Sequence, residues 1–187
     1  TIEPGVIIKF NISTGIRVNN GAIKAQGTAD EPIVFTSFYD DTYGGDTNGD
    51  GICDPSNASS IAQCPQPGHW YGLWALDNSP DSIFTHTIIR YGGGASDHKS
   101  NLYVQNVSLN ISNSLFEYSR ARGLTLSNSN SQVSDNVFQY NNTADELGAS
   151  GLHIVGSSPI IQNNTFQENR IGIWIQGGTQ TISQNTF

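Results

Sequence analysis

Five aspartates crowd into fifteen residues: Asp40, Asp41, Asp46, Asp50 and Asp54. Within that stretch Asp46, Asn48, Asp50 and Asp54 fall at positions 1, 3, 5 and 9 of a loop, with Gly51 at position 6 and the Ile52 carbonyl at position 7. Oxygen donors on alternate residues around a glycine turn suit a hard divalent cation, and calcium accepts such a mixture of carboxylate, amide and carbonyl ligands. The loop departs from the full pattern at position 12, where Asn57 replaces a bidentate Glu. The expectation is a structural Ca2+ held by Asp46, Asn48, Asp50, Ile52 and Asp54, ordering a loop whose charges otherwise repel.

Cys53 and Cys64, the two cysteines of the chain, stand eleven residues apart beside that loop. They read as a disulfide, which would stabilise by about 2 to 3 kcal/mol. The alternative is a two-Cys metal site completed by His69, which falls short of the four ligands zinc takes. A disulfide points to an oxidising setting, extracellular or on a cell surface. Six Asn-x-Ser/Thr sequons occur, at Asn11, Asn57, Asn106, Asn110, Asn141 and Asn163. With 19 Asn and 35 Ser plus Thr in the chain, about three to four would arise by chance, so glycosylation stays open. The four histidines, His69, His86, His98 and His153, are scattered and read as surface or hydrogen-bonded core residues.

The formal charge of −8, with only eight Lys plus Arg, excludes nucleic acid and an anionic membrane surface as natural partners. No apolar run reaches the roughly 18 residues of a membrane span. The chain begins at Thr1 and contains no Met, which reads as a piece of a longer precursor.

Whatever chemistry these residues do, a frame must position them. Asn, Ser, Thr and Gly make up 74 of 187 residues, and such poor helix formers exclude a mostly helical protein. Aromatics at 10% and short, regularly spaced runs of Val, Ile and Leu exclude disorder. The runs repeat. Ile111-Ser-Asn-Ser-Leu-Phe116, Val133-Ser-Asp-Asn-Val-Phe138, Ile161-Gln-Asn-Asn-Thr-Phe166 and Ile182-Ser-Gln-Asn-Thr-Phe187 share one pattern, with a weaker copy at Phe84–Ile89. Their last residues step by 27, 22, 28 and 21. A second motif keeps the same rhythm: Gly72-Leu-Trp-Ala75, Asn101-Leu-Tyr-Val104, Gly123-Leu-Thr-Leu126, Gly151-Leu-His-Ile154 and Gly172-Ile-Trp-Ile175. Two unrelated motifs on one period predict a solenoid of about three short strands per coil.

The Asn-x-Phe coils, with the opening Thr1–Phe10 and Gly27–Thr36 segments, resemble the right-handed parallel β-helix superfamily of pectin and pectate lyases and many secreted or surface proteins. The resemblance covers nearly the whole chain. It implies an all-β, right-handed parallel β-helix of about seven to eight coils, one domain over 1–187, with residues 37–68 as an acidic, disulfide-bearing, Ca2+-binding loop insertion. The Asp46–Asp54 loop itself resembles the calcium loops of dockerins and thrombospondin type 3 repeats. Stacked coils would line up Asn136, Asn164 and Asn185 as an amide ladder, and Phe116, Phe138, Phe166 and Phe187 as a core stack. In the lyases an Arg or Lys deprotonates a calcium-bridged uronate. The nearest counterparts are Arg120 and Arg122, with Lys99 and His98 one coil earlier, but no aspartate cluster accompanies them. The hydrolase motifs are absent apart from Asp40-Asp41. The catalytic set is therefore empty, and the reading is of a non-catalytic, adhesin-like structural protein.

If Leu and Ile of the Gly-Leu-x-Ile strands point inward, Trp74, Tyr103, Thr125, His153 and Trp174 point out as a stacked row. Such a row suits sugar faces or a protein partner, unless the 37–68 insertion folds back over it. Tyr91, Tyr118 and Tyr140 form another column, bracing a bend. Thr1 and Phe187 fall in mid-coil, so the expected partners are other copies of the chain or flanking β-helix coils, stacked into filaments, and an extracellular or cell-surface polysaccharide.

Overall fold

A computed structural model describes residues 1–57, 64–141 and 148–187. Among these described residues, eighteen strands form three parallel sheets of six. The first sheet holds β1 (Ile7–Phe10), β4 (Ile33–Ser37), β7 (Thr87–Arg90), β10 (Leu115–Glu117), β13 (Val137–Gln139) and β16 (Thr165–Gln167). The second holds β2 (Gly15–Val18), β5 (Gly72–Ala75), β8 (Ser100–Gln105), β11 (Arg122–Ser127), β14 (Ser150–Val155) and β17 (Ile173–Gln176). The third holds β3 (Lys24–Gln26), β6 (Ile83–Thr85), β9 (Asn110–Ser112), β12 (Gln132–Ser134), β15 (Ile160–Gln162) and β18 (Thr181–Ser183). The chain visits the sheets in strict rotation, which is a parallel β-helix. It has six coils rather than seven to eight, because residues 38–71 leave the coil between β4 and β5.

In-register stacking makes columns of like residues. Phe116, Phe138, Phe166 and Phe187 stack at 5.0, 4.9 and 5.2 Å between ring centroids. Tyr91, Tyr118 and Tyr140 stack at 5.2 Å per step outside the bend between the first and second sheets. Each of these tyrosines has a left-handed φ, between 49° and 62°, a conformation that costs energy for a bulky residue. The ring stack compensates that cost.

The bend between the third and first sheets carries the expected amide ladder. Asn136 Nδ2 donates to Asn164 Oδ1, and Asn164 Nδ2 to Asn185 Oδ1, both at 3.0 Å. Each carbonyl oxygen also accepts a backbone N–H from the preceding coil: Ser114 to Asn136, Asn136 to Asn164 and Asn164 to Asn185. A second amide ladder runs where none was expected, at the bend between the first and second sheets. Asn141 Nδ2 donates to Asn169 Oδ1 at 3.0 Å and to the Phe116 carbonyl at 3.0 Å. Asn141 is wholly buried, so this sequon is closed to a glycan in the folded coil. Asn11, Asn57, Asn106, Asn110 and Asn163 are exposed.

Asn164 is 1% exposed and also donates to the carbonyls of Val133 and Gln162. Asn164→Leu strands the Asn136 backbone N–H and leaves the Asn136 amide without its ladder acceptor, while the Gln162 carbonyl keeps the Asp135 N–H, at about 1 to 3 kcal/mol for each group left unsatisfied. Urea unfolding should show a loss of at least about 3 kcal/mol, against under about 0.5 kcal/mol for the outward-facing Gln162→Ala.

Candidate functional site

The long connections leave the coil at one corner, between the first and second sheets: residues 38–71, 91–99 and 140–149. Of the last, residues 142–147 lie outside the described set. Where these loops fold decides which outer face stays open.

The insertion folds onto the first sheet. Its buried Asp40 accepts from Thr36 Oγ1 at 2.5 Å and lies 3.6 Å from Arg90 Nε, which in turn is 3.1 Å from Glu117 Oε1. Glu117 continues outward through Gln139 and Gln167 as a side-chain ladder. Arg90 packs against the rings of Tyr43, Tyr91 and Tyr118. Burial works against its charge, but the surrounding phenols and carboxylates prevail and hold its pKa above the ordinary value. The Tyr91 phenol is pushed up to about 12, mainly by burial, although Arg90 pulls it down.

Within the insertion Cys53 and Cys64 form the expected disulfide. That rules out the two-Cys metal site, and His69 Nδ1 instead lies 3.0 Å from Ser37 Oγ. The acidic loop forms a turn around Asp46. Asp46 accepts the Gly49 and Gly51 N–H groups, and Asn48 accepts that of Asp50, so three of the five expected ligands share one turn. Asp54 accepts from Ser56 Oγ and N–H, which lowers its carboxyl pKa. Ile52 is 77% exposed. Asp41 Oδ2 accepts the Cys53 N–H while its Oδ1 is buried without a hydrogen-bond partner. Among the described residues no three His, Cys, Asp or Glu side chains sit together as a metal cluster. Both oxygens of Asp46 can still serve a cation, because each accepts a single backbone bond.

The second sheet carries the row read from alternation, in full register: Arg17, Trp74, Tyr103, Thr125, His153 and Trp174 are successive partners. Arg17 extends the row by one coil, since Gly15-Ile-Arg-Val18 has the same alternation as Gly72-Leu-Trp-Ala75. The row is no open aromatic strip. Tyr103, Thr125 and His153 are 9%, 3% and 6% exposed, and the two tryptophans are half-buried. What covers it is the 91–99 loop, together with Gly148, rather than the insertion. His98 stacks on Tyr103 at 4.0 Å and meets Trp74 edge-on at 5.7 Å. At the other end Trp174 stacks on His153 at 4.4 Å and lies so close to Gly148 that any side chain there would strike its ring.

Between the two covers a cleft of about 310 Å³ opens over the middle of the row, lined by Asp97, His98, Tyr103, Arg122, Thr125 and His153 among others. Ser100 and Thr125 share a hydroxyl hydrogen bond of 2.7 Å there. Arg122 also lies 5.5 Å from the Trp174 ring centre. His153 Nε2 pairs with Gln176 Oε1 at 2.8 Å, while its buried Nδ1 has no partner. Burial, and secondarily the Arg122 charge, lower its pKa against the opposing Gln176 bond. Of the lyase-like candidates, Arg122 and His98 enter this cleft. Arg120 packs beside Gly68 at the corner. Asp97 and Ser100 carried no signal in the sequence, because a loop delivers one and a strand end the other.

The chain matches the family described as right handed β-helix region over residues 5–187. It therefore belongs to the right-handed β-helix family, and its solenoid is the right-handed one. No curated protein and no solved structure matched it. Among the described residues no helix is long and apolar enough to cross a membrane.

Removing Arg90 would leave Asp40 and Glu117 facing each other without a cation. Arg90→Ala should cost about 3 to 5 kcal/mol in urea unfolding, the range for breaking a buried ion pair. Arg90→Lys should recover little, since one ammonium cannot span two carboxylates and three rings.

Proposed function

We propose that this protein is a non-catalytic, adhesin-like recognition domain, extracellular or on a cell surface, that docks polysaccharide in the cleft on its second sheet. The observation that carries the reading is the cleft itself. Its walls pair ring faces, His98 on Tyr103, with a hydroxyl pair, a carboxylate and a guanidinium. A saccharide presents apolar C–H faces ringed by hydroxyls, and such walls complement both. The Cys53–Cys64 disulfide supports an oxidising location. A glycan array reports the ligand, and His98→Ala and Trp174→Ala should each weaken binding about tenfold. An array with no binding to any glycan overturns the reading.

The acidic loop is proposed as a structural Ca2+ site built from Asp46, Asn48, Asp50, Asp54 and the Ile52 carbonyl. The shared turn around Asp46 and the unpartnered Oδ1 of Asp41, whose Oδ2 accepts the Cys53 N–H of the same loop, support this. When bound, the ion would neutralise the crowded carboxylates and tie the loop to the disulfide. A Ca2+ titration followed by thermal melting should raise the midpoint, reaching about 2.7 kcal/mol at a hundredfold excess over Kd. Asp46→Asn should remove most of that gain, and an unchanged midpoint in the parent protein sinks the site.

A further inference from the structure

A groove with more than twice the volume of the cleft lies on the first sheet, beside its bend with the third. It encloses about 690 Å³, within the range of about 300 to 1,000 Å³ that ligand sites occupy. Its floor is a column of register partners, Ile88, Leu115 and Val137, each half-buried on the outer face. The insertion anchors on the neighbouring column, at Arg90, and leaves this one open.

One wall of the groove is the bend itself, where His86, Asn113 and Asp135 stand one per coil, each with a left-handed φ between 49° and 58°. The opposite wall is the amide ladder, in which Gln139 donates to Glu117 and Gln167 donates to Gln139. Each glutamine has a second N–H beyond the one it spends there. The 28–32 turn closes one end. Glu31 N–H donates to Thr28 Oγ1 at 3.0 Å, and Gly27 before it lies so close to the His86 carbonyl that a Cβ would strike it. On that side the next residue of the floor column, Val34, is 2% exposed. At the other end the floor runs on to Thr165 and the wall to the exposed Gln167.

We propose that this groove is a second binding site, separate from the cleft, for a linear neutral β-1,4-linked glycan that lies along the solenoid axis with one end against the 28–32 turn. Walls that repeat once per coil match a ligand of the same period. Coils rise by about 4.8 Å, and each sugar of an extended β-1,4 chain advances by nearly that amount, so successive sugars meet the same aliphatic, bend and amide set. An extended peptide does not keep that step. Its residues on one side recur every ~6.8 Å, which puts it out of phase by the second coil. Nor can it add as a strand, because a chain laid across the strands finds their N–H and C=O groups already bonded between coils.

The chemistry of the walls agrees with the period. Aliphatic side chains cover the C–H faces of sugars, while Asn113, Asp135 and the two glutamines offer donors and acceptors to ring hydroxyls on either side. A polyanion is disfavoured, since the lining includes Asp135 and no Lys or Arg, on a chain of net charge −8. The four coils of β7, β10, β13 and β16 that line the groove set a length of four sugars.

The test is an NMR titration of the nitrogen-15-labelled protein with cello-, manno- and xylo-oligosaccharides from disaccharide to hexasaccharide, with hexagalacturonate and a proline-rich decapeptide alongside. At least one neutral series should shift the amides of residues 86–88, 113–115 and 135–139, with affinity rising to the tetrasaccharide and level beyond it. Leu115→Arg, which sets a charge on the apolar floor, should weaken that response about tenfold and leave any shifts at Tyr103, Thr125 and His153 in the cleft unchanged. Asn113→Gly with Asp135→Gly removes the bend wall without backbone strain, because glycine takes a positive φ freely, and should weaken binding several-fold. Shifts confined to the cleft, no gain in affinity beyond the disaccharide, tighter binding of hexagalacturonate or of the peptide, or no groove response to any neutral series overturns the proposal and leaves the cleft to its own test. A groove response without a cleft response upholds this site and counts against the cleft alone.

Discussion

Everything in this protein depends on keeping parallel coils in register. Strands about 4.8 Å apart place each side chain directly over its counterpart in the next coil. The buried bends then have no water to satisfy them, so each backbone group must find a partner in the coil above or below. Asn is the residue whose side chain can accept from one coil and donate to another, and the Asn136–Asn164–Asn185 and Asn141–Asn169 ladders do that at two corners. Where the ladder position holds Ser114, its hydroxyl accepts the Thr87 N–H in the same place. The Phe stack fills the space between the bends.

The same constraint decides where functional loops can arise. A residue inserted within a strand would shift every column, whereas one inserted at a corner disturbs nothing behind it. The long excursions accordingly share one corner, and they divide the outer surface between them. The insertion takes the first sheet, anchored by Asp40, Arg90 and Glu117. The 91–99 loop takes part of the second and, with Gly148, walls in the cleft. The third sheet, with three-residue strands, keeps an outer face of Gln132, Ser134 and Gln162, interrupted by the exposed Ile160.

Much of this was legible in the chain. Period, strand motifs, the inward Phe and Asn columns and the outward order Trp74–Tyr103–Thr125–His153–Trp174 all follow from alternation and repeat length, which are local quantities. The disulfide followed from there being a single pair of cysteines. What escaped were loop-dependent facts: that Asn141 is a buried ladder residue, that Asp40 joins an ion cluster, and that Asp97 stands at the rim of the cleft. Asn141 and Asn163 have the same sequon chemistry, yet one faces inward at a bend and the other outward one position before the ladder.

The sequence by itself therefore determined the class of fold and the identity of each column, since in-register stacking turns a linear period directly into spatial rows. Only the tertiary structure decided which rows meet solvent. That outcome depends on where three corner loops fold, and loop direction is governed by long-range packing, such as His98 on Tyr103 or Trp174 on Gly148, which no local period encodes. The outward row became a largely covered one with a cleft over its middle, and within the five-aspartate stretch Asp40 became the anchor of an insertion.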